Sequence, residues 1–214
     1  MKIQEVASKY EKYQVEMRRY FHQYPEVSEK EYETSKAIKA ELDKMGIPWV
    51  PCGLETGVLG TIKGSKPGKT ILLRADIDAL SVEETTGAEY ASKNPGVMHA
   101  CGHDVHMAIL LETVLRLLQR RDDLFGSVRI LFQPSEELSP TGGARLMMKD
   151  GFLDGVSGVF GLHVWPSYPV GRIGIKGGPL MAASDRFRVT IKGRTAHAGH
   201  PHEGVVAILA AAAF

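Results

Sequence analysis

The eight positions His99-Ala100-Cys101-Gly102-His103-Asp104-Val105-His106 carry three imidazoles, a thiol and a carboxylate. That is a donor set for a borderline divalent cation such as zinc, nickel, cobalt or manganese. The ordinary alternative is a run of satisfied core or capping residues. His106, inside a predicted helix, is as well placed to support a ligand or to pack as to be a ligand itself. Glu136 and Glu137 form the second informative group, because adjacent carboxylates repel unless a cation or a proton offsets them. One can hold a metal while the other takes a proton from a water that the metal has acidified. Alone, the pair could equally be a solvated loop. Asp76 and Asp78 could cap the segment after them, and a single His163 could be structural. A free cysteine near histidines can also be a nucleophile, so covalent catalysis through Cys101 is a rival to coordination.

These residues need elements to position them. Apolar residues at steps of three and four predict a helix over 3–23, ended by Pro25. Ser28 and Glu31 match a capping box for a second helix running up to Gly46. Residues 58–62 and 70–73 read as a β-hairpin across Gly64-Ser65-Lys66-Pro67-Gly68, its second strand delivering Asp76 and Asp78. A polar, turn-rich loop over 82–98 leads to the donor cluster. A helix over 104–120, a buried strand over 126–132, a short helix over 142–149 and a strand over 156–164 ending at His163 follow. This order predicts an α/β fold, a mixed sheet flanked by helices. Ligand sites in such sheets lie beyond the C-terminal strand ends, where Asp76, Glu136, Glu137 and His163 fall. Around Ser184 the pattern changes to half-buried alternation, with Phe187, Val189 and Ile191 between Arg186, Arg188, Thr190 and Lys192. A second domain is expected to start there, with an apolar helix over 205–214.

Composition narrows the function classes. Lys plus Arg number 26 against 25 Asp plus Glu, a net charge of +1, which gives no electrostatic footprint for nucleic acid or an anionic membrane. The expected partner is a small molecule. No apolar run is long enough to span a bilayer, and the first ten residues lack the apolar core of a signal peptide. With two separated cysteines, Cys52 and Cys101, the expectation is a cytoplasmic, reducing setting.

Six segments in order, His22-Gln-Tyr-Pro25-Glu26, Arg74-Ala-Asp76-Ile-Asp78-Ala-Leu80, Met98-His-Ala-Cys-Gly-His-Asp-Val-His106, Phe132-Gln-Pro-Ser-Glu-Glu137, Gly161-Leu-His163 and Ile191-Lys-Gly-Arg-Thr-Ala-His197-Ala-Gly-His-Pro-His202, carry a resemblance. Together they resemble the aminoacylase and carboxypeptidase family of dinuclear metallohydrolases. The similarity is to the branch of hippurate hydrolases, N-acyl amino acid amidohydrolases and hydrolases of auxin–amino acid conjugates. The resemblance implies a zinc-exopeptidase-like catalytic domain over 1–183 and the start of a small α+β lid and dimerisation domain over 184–214. It implies two divalent ions (Zn, Mn, Ni or Co), with Cys101 as bridging ligand and His103, Glu137 and His163 as further ligands. Glu136 would be the general base, Asp76 the carboxylate orienting a ligand, and His197 the lid histidine that reaches the active site of a partner subunit to stabilise the oxyanion. The implied substrate is an N-acyl amino acid, and full-length relatives of this kind form homodimers.

The resemblance departs in two places. At Val206 such relatives commonly carry an acidic residue. They are also roughly twice as long, with a last histidine ligand in the additional part, so the expectation is a chain that stops in mid-helix and is inactive alone. A non-enzymatic metal-binding remnant is the alternative from a different class.

Overall fold

The computed structural model describes residues 3–138, 142–183, 185 and 187–214. The expected boundary at Ser184 and the Arg186 position lie outside them.

Helix α1, Ile3–Gln23, follows the three-and-four spacing and lays Tyr13, Met17 and Phe21 against the core. Helix α2, Tyr32–Lys44, buries Ile38 and Leu42. Its expected capping box is absent. The Ser28 hydroxyl donates to Asp78 (2.7 Å), and the Glu31 carboxylate turns inward to Thr56 and Ser135. Glu26 serves instead, accepting the backbone N–H groups of Glu33 (3.2 Å) and Thr34 (2.8 Å), two of the donors that a helix start leaves unpaired.

Among the described residues there are five strands: β1, Trp49–Cys52; β2, Leu54–Lys63; β3, Lys66–Asp76; β4, Phe125–Gln133; and β5, Val156–Gly161. They lie in the order β1-β2-β4-β3-β5, forming one mixed sheet. β2 is antiparallel to β1 and β4, whereas β3 is parallel to β4 and β5. The expected β2–β3 hairpin is therefore wrong, because β4 occupies the space between its arms. β4 carries Val128, Ile130 and Phe132 on one face and Leu131 on the other, all buried, so it belongs in the centre of the sheet. The start of β4 threads tightly against the turn: a Cβ on Gly126, whose φ is +76°, would stand 2.0 Å from the Lys69 carbonyl oxygen. The true hairpin is β1–β2.

Helix α3, His103–Gln119, lies with α1 and α2 over one face, where Met107, Leu110, Leu111 and Val114 meet Val58, Ile62, Ala75 and the β4 residues. On the other face Cys52, Leu72 and Leu131 pack with Phe152 and with Met147 of the short helix α4, Gly143–Met148. Burying each large aliphatic or aromatic side chain contributes roughly 1.5–3 kcal/mol. β5 is an edge strand, and it ends at Gly161, two residues before His163.

The chain divides into two compact units, 1–176 and 177–214. All five strands lie in the first. In the second, the expected strand around Val189 does not form, and Phe187 is 84% exposed. A strand requires a neighbour for its backbone groups, and among the described residues of this unit the only ladder contact is the isolated bridge Arg194–Val205. The expected C-terminal helix is shorter, α5, Ala207–Ala212. Among the described residues, no helix is long and apolar enough to cross a membrane.

Candidate metal centre

The C-terminal ends of the parallel strands β3, β4 and β5 converge with the start of α3. β3 ends at Asp76, with Asp78 two residues on. β4 runs through Gln133 into Ser135-Glu136-Glu137, and the chain after β5 carries His163. Gly102, at φ +96°, caps α3 so that Cys101 and His103 stand at its entry. A side chain there would strike Val164: a Cβ would lie 2.4 Å from its methyl.

Hydrogen bonds specify the use of each imidazole. His103 Nδ1 lies 2.8 Å from the Asp78 carbonyl oxygen, which can only accept. In the neutral ring the proton therefore sits on Nδ1 and the lone pair on Nε2. That Nε2 is buried and has no hydrogen-bond partner among the described residues. Around it are carboxylate oxygens of Asp76 (3.6 Å), Glu137 (3.8 Å) and Glu136 (3.9 Å). His163 repeats the arrangement: Nδ1 donates to the Val164 carbonyl (2.6 Å), and Nε2 lies 3.3 Å from Cys101 Sγ.

His106 is different. The Val164 N–H donates to its Nε2 (3.0 Å), so its Nδ1–H donates to Asp76 Oδ1 (2.6 Å). Although donor atoms of Asp76, His103 and His106 lie within 4.8 Å of one another, both His106 nitrogens are occupied by hydrogen bonds, which favours a supporting role for this ring over a ligand's.

Of the other three donor groups with the same closeness, two share His103, namely Cys101–His103–His163 and His103–Glu136–Glu137. Their electrostatics call for a cation. Burial, then the charges of Glu137, Glu136 and Asp76, push the Cys101 thiol up to about 12. In that setting the thiol resists ionisation, which counts against the covalent reading, whereas a cation would stabilise its thiolate. Burial and the neighbouring Glu137 raise the Glu136 carboxyl above its ordinary value. Burial works against a charged His103, yet its hydrogen bond to Asp78 and the charges of Asp76 and Asp78 raise it to about 9. Asp76 is also opposed by burial, but the His106 hydrogen bond and Arg74, 2.7 Å away, hold it well below the usual carboxylate range. Glu137 Oε1, like His103 Nε2, is buried without a hydrogen-bond partner among the described residues. Two orphaned atoms, a thiol and a second imidazole lone pair in one acidic pocket fit divalent cations.

Six of the seven residues singled out from the sequence thus come together: Cys101, His103, Glu136, Glu137, His163 and Asp76. His197 lies in the second unit, where its Nδ1 accepts the Gly199 N–H (3.1 Å). An exposed group, His200, His202 and Glu203, adjoins it in sequence.

Sequence reasoning missed the supports. Asp78 accepts the Glu137 N–H (2.9 Å) besides Ser28. Glu31 accepts the Ser135 N–H (2.8 Å) and the Thr56 hydroxyl (2.9 Å). Ser135 has φ +55°, a conformation costing a non-glycine residue on the order of 1–3 kcal/mol. Behind the donor cluster, His22 bonds Asp104 (2.8 Å) and Glu84 (3.2 Å), and Arg18 lies 2.9 Å from Asp104. The Asp104 hydrogen bond, against burial, raises the His22 pKa. For Glu31 the available signal was the dense polar spacing of His22, Glu26, Ser28 and Glu31 ahead of an otherwise amphipathic helix.

Comparison with known proteins agrees with this architecture. Residues 72–214 match the family model described as peptidase family M20/M25/M40. The chain is 51% identical over 201 residues to an N-acetyl-L-cysteine deacetylase of Bacillus subtilis, covering 94% of this chain and 48% of that protein. It is 45% identical over 191 residues to an N-acyl-L-amino acid amidohydrolase of Geobacillus stearothermophilus, covering 89% and 51%. Among solved structures, the B. subtilis YXEP protein, described as a dinuclear metal binding peptidase from the M20 family, superposes with a TM-score of 0.77 at 46% identity, over 81% of this chain and 48% of that one. The chain spans about half the length of the curated relatives it matches. Its mixed sheet, the donors at its strand ends and these matches place it together: the chain belongs to the peptidase family M20/M25/M40.

Proposed function

We propose that the protein hydrolyses the amide bond of N-acyl amino acids, using two divalent cations held by Cys101, His103, Glu137 and His163. The observation that carries this reading is the buried, unpartnered His103 Nε2 facing three carboxylates, with Cys101 and His163 within reach. The substrate class is supported by the relatives, named for deacetylating N-acetyl-L-cysteine and hydrolysing N-acyl-L-amino acids. The ligand types suit zinc, manganese, nickel or cobalt.

Bound between these donors, the cations would polarise the scissile carbonyl and acidify the attacking water. His103 and His163 keep their Nδ1 protons on backbone carbonyls and so present Nε2 lone pairs. Asp76 fixes His106 and, through it, the Val164 backbone beside His163. Glu136, with its carboxyl raised by burial, takes a proton from the attacking water and delivers it to the departing amine. Water adds to the carbonyl carbon, the C–N bond breaks, and the products are a carboxylate and an amino acid. In this reading His197 acts as the family's lid histidine does, as donor to the oxyanion in the active site of a partner subunit, residues 1–183 form the catalytic domain, and residues 184–214 are the start of the lid and dimerisation domain. The two free thiols suit a cytoplasmic setting.

The test is metal content together with hydrolysis of N-acetyl and N-benzoyl amino acids, by the 214-residue chain alone, where little or no activity is expected, and with the C-terminal half of a matched relative added in trans, where activity is expected. Cys101→Ala is expected to lose bound metal. Glu136→Gln is expected to keep the metal and lose on the order of 10²–10⁴ in rate. Undiminished hydrolysis by Glu136→Gln, or a metal-free protein that hydrolyses as well, would sink the proposal.

A further inference from the structure

Ser135 is the residue on which the direction of the Glu136-Glu137 segment depends, and it stands at φ +55°. Nothing intrinsic keeps a serine there, since its hydroxyl is buried without a hydrogen-bond partner among the described residues. Its backbone is held from outside. Its carbonyl accepts the Gly143 N–H (2.9 Å), and its N–H donates to Glu31 Oε1 (2.8 Å). Glu31 is fully buried, and its other oxygen accepts the hydroxyl of Thr56 on β2 (2.9 Å), itself 2% exposed. The Glu31 carbonyl meanwhile starts α2 by accepting the Ser35 N–H (2.9 Å). Both ends of Glu31 are thus anchored in the body of the fold, and its free reach goes to the loop that carries two functional carboxylates.

We propose that Glu31 is a positioning residue: by clamping the Ser135 N–H it sets where the Glu136 and Glu137 carboxylates lie. The proposal rests on the reading of Glu136 as base and Glu137 as ligand. A buried carboxylate is costly to keep, and among the described residues this one accepts no cation's hydrogen bond; its partners are the backbone N–H groups of Ser135 and of Glu31 itself and the Thr56 hydroxyl. Without the clamp Ser135 relaxes toward negative φ, which swings the following chain and moves both carboxylates relative to His103. A displacement of about 1 Å at a reacting group can cost on the order of 10²-fold in rate.

The test compares Glu31→Ala, Glu31→Gln and Thr56→Val by three measurements: hydrogen exchange at the Ser135 amide, affinity for Co²⁺ alone, and kcat and KM for N-acetyl amino acid hydrolysis. In Glu31→Ala the Ser135 amide is expected to exchange roughly tenfold faster or more, as for loss of a charged hydrogen bond. Co²⁺ affinity is expected to fall roughly tenfold, and kcat to fall on the order of 10²-fold with KM little changed. Glu31→Gln restores all three, because its amide oxygen still accepts the Ser135 N–H and its NH₂ can donate to Thr56. Thr56→Val, which keeps the Ser135 bond but removes the anchor of the other Glu31 oxygen, is expected to shift all three in the same direction as Glu31→Ala and by less. If Glu31→Ala does not fold, Glu31→Asp, one carbon short of Ser135, takes its place with the same expectations. A folded Glu31→Ala with unchanged exchange and Co²⁺ affinity overturns the proposal. So does a Glu31→Gln as impaired as Glu31→Ala, which would assign the role to charge. Full hydrolysis by Glu136→Gln would remove the base reading alone, leaving the exchange and Co²⁺ measurements to decide on Glu31.

Discussion

Asp76 is 1% exposed and shares its carboxylate between Arg74 (2.7 Å) and His106 (2.6 Å), with His103 at 3.6 Å. A carboxylate whose folded pKa lies below its unfolded value of about 3.9 contributes stability that is complete above that value and is lost as pH falls toward the folded one. Asp76→Asn is therefore expected to lower the unfolding free energy by about 2 kcal/mol at pH 7. That deficit should shrink below about pH 4. Urea denaturation with chelator present, at pH 7 and pH 3, measures both, and an equal deficit at the two pH values would refute the assignment. At this scale the donor types were legible, because Cys101, His103 and the Glu136-Glu137 pair are dense in the sequence. The division of labour among the imidazoles was not. His103 and His106 are alike in sequence, and only the Asp78 carbonyl beside one and the Val164 N–H beside the other separate a lone pair free for a metal from a brace.

Among the elements, helices were read well because their period depends on residues three or four apart. The start of α2 was not. Ser28 and Glu31 have capping-box spacing, yet both side chains are drawn to buried groups, Asp78, Thr56 and Ser135, which cannot turn to water for a partner. Glu26→Ala should destabilise by about 1 kcal/mol through the lost cap at Glu33 and Thr34. Thermal melts that put Ser28→Ala and Glu26→Ala at the same helix end, with equal loss of α2 protection in hydrogen exchange, would contradict this. The strand pair misread as a hairpin failed for a related reason. Proximity in sequence favours pairing of β2 and β3, but the apolar double face of β4 gains more from the centre of the sheet than from an edge.

The whole molecule is uneven in how it is built. The first unit holds two buried clusters and all the strands, whereas among the described residues of 177–214 no side chain is buried. Backbone that is exposed and outside ladders is where a protease finds its substrate. Brief trypsin treatment followed by mass spectrometry is expected to cut first at Lys176, Arg188 or Lys192, all exposed, and to leave the sheet-bearing unit whole. First cuts within β2–β4 would show that stability is distributed otherwise.

By itself the sequence determined the α/β class, the helical segments, the order in which the donors arrive and the family they resemble, because these depend on residue type and local period. Folding adds that β4 separates β2 from β3, that both His106 nitrogens are bonded while His103 Nε2 has no partner among the described residues, and that Glu31 reaches Ser135. Each of those depends on which distant backbone group a buried polar atom meets once water is excluded, and that pairing has no signature in local spacing.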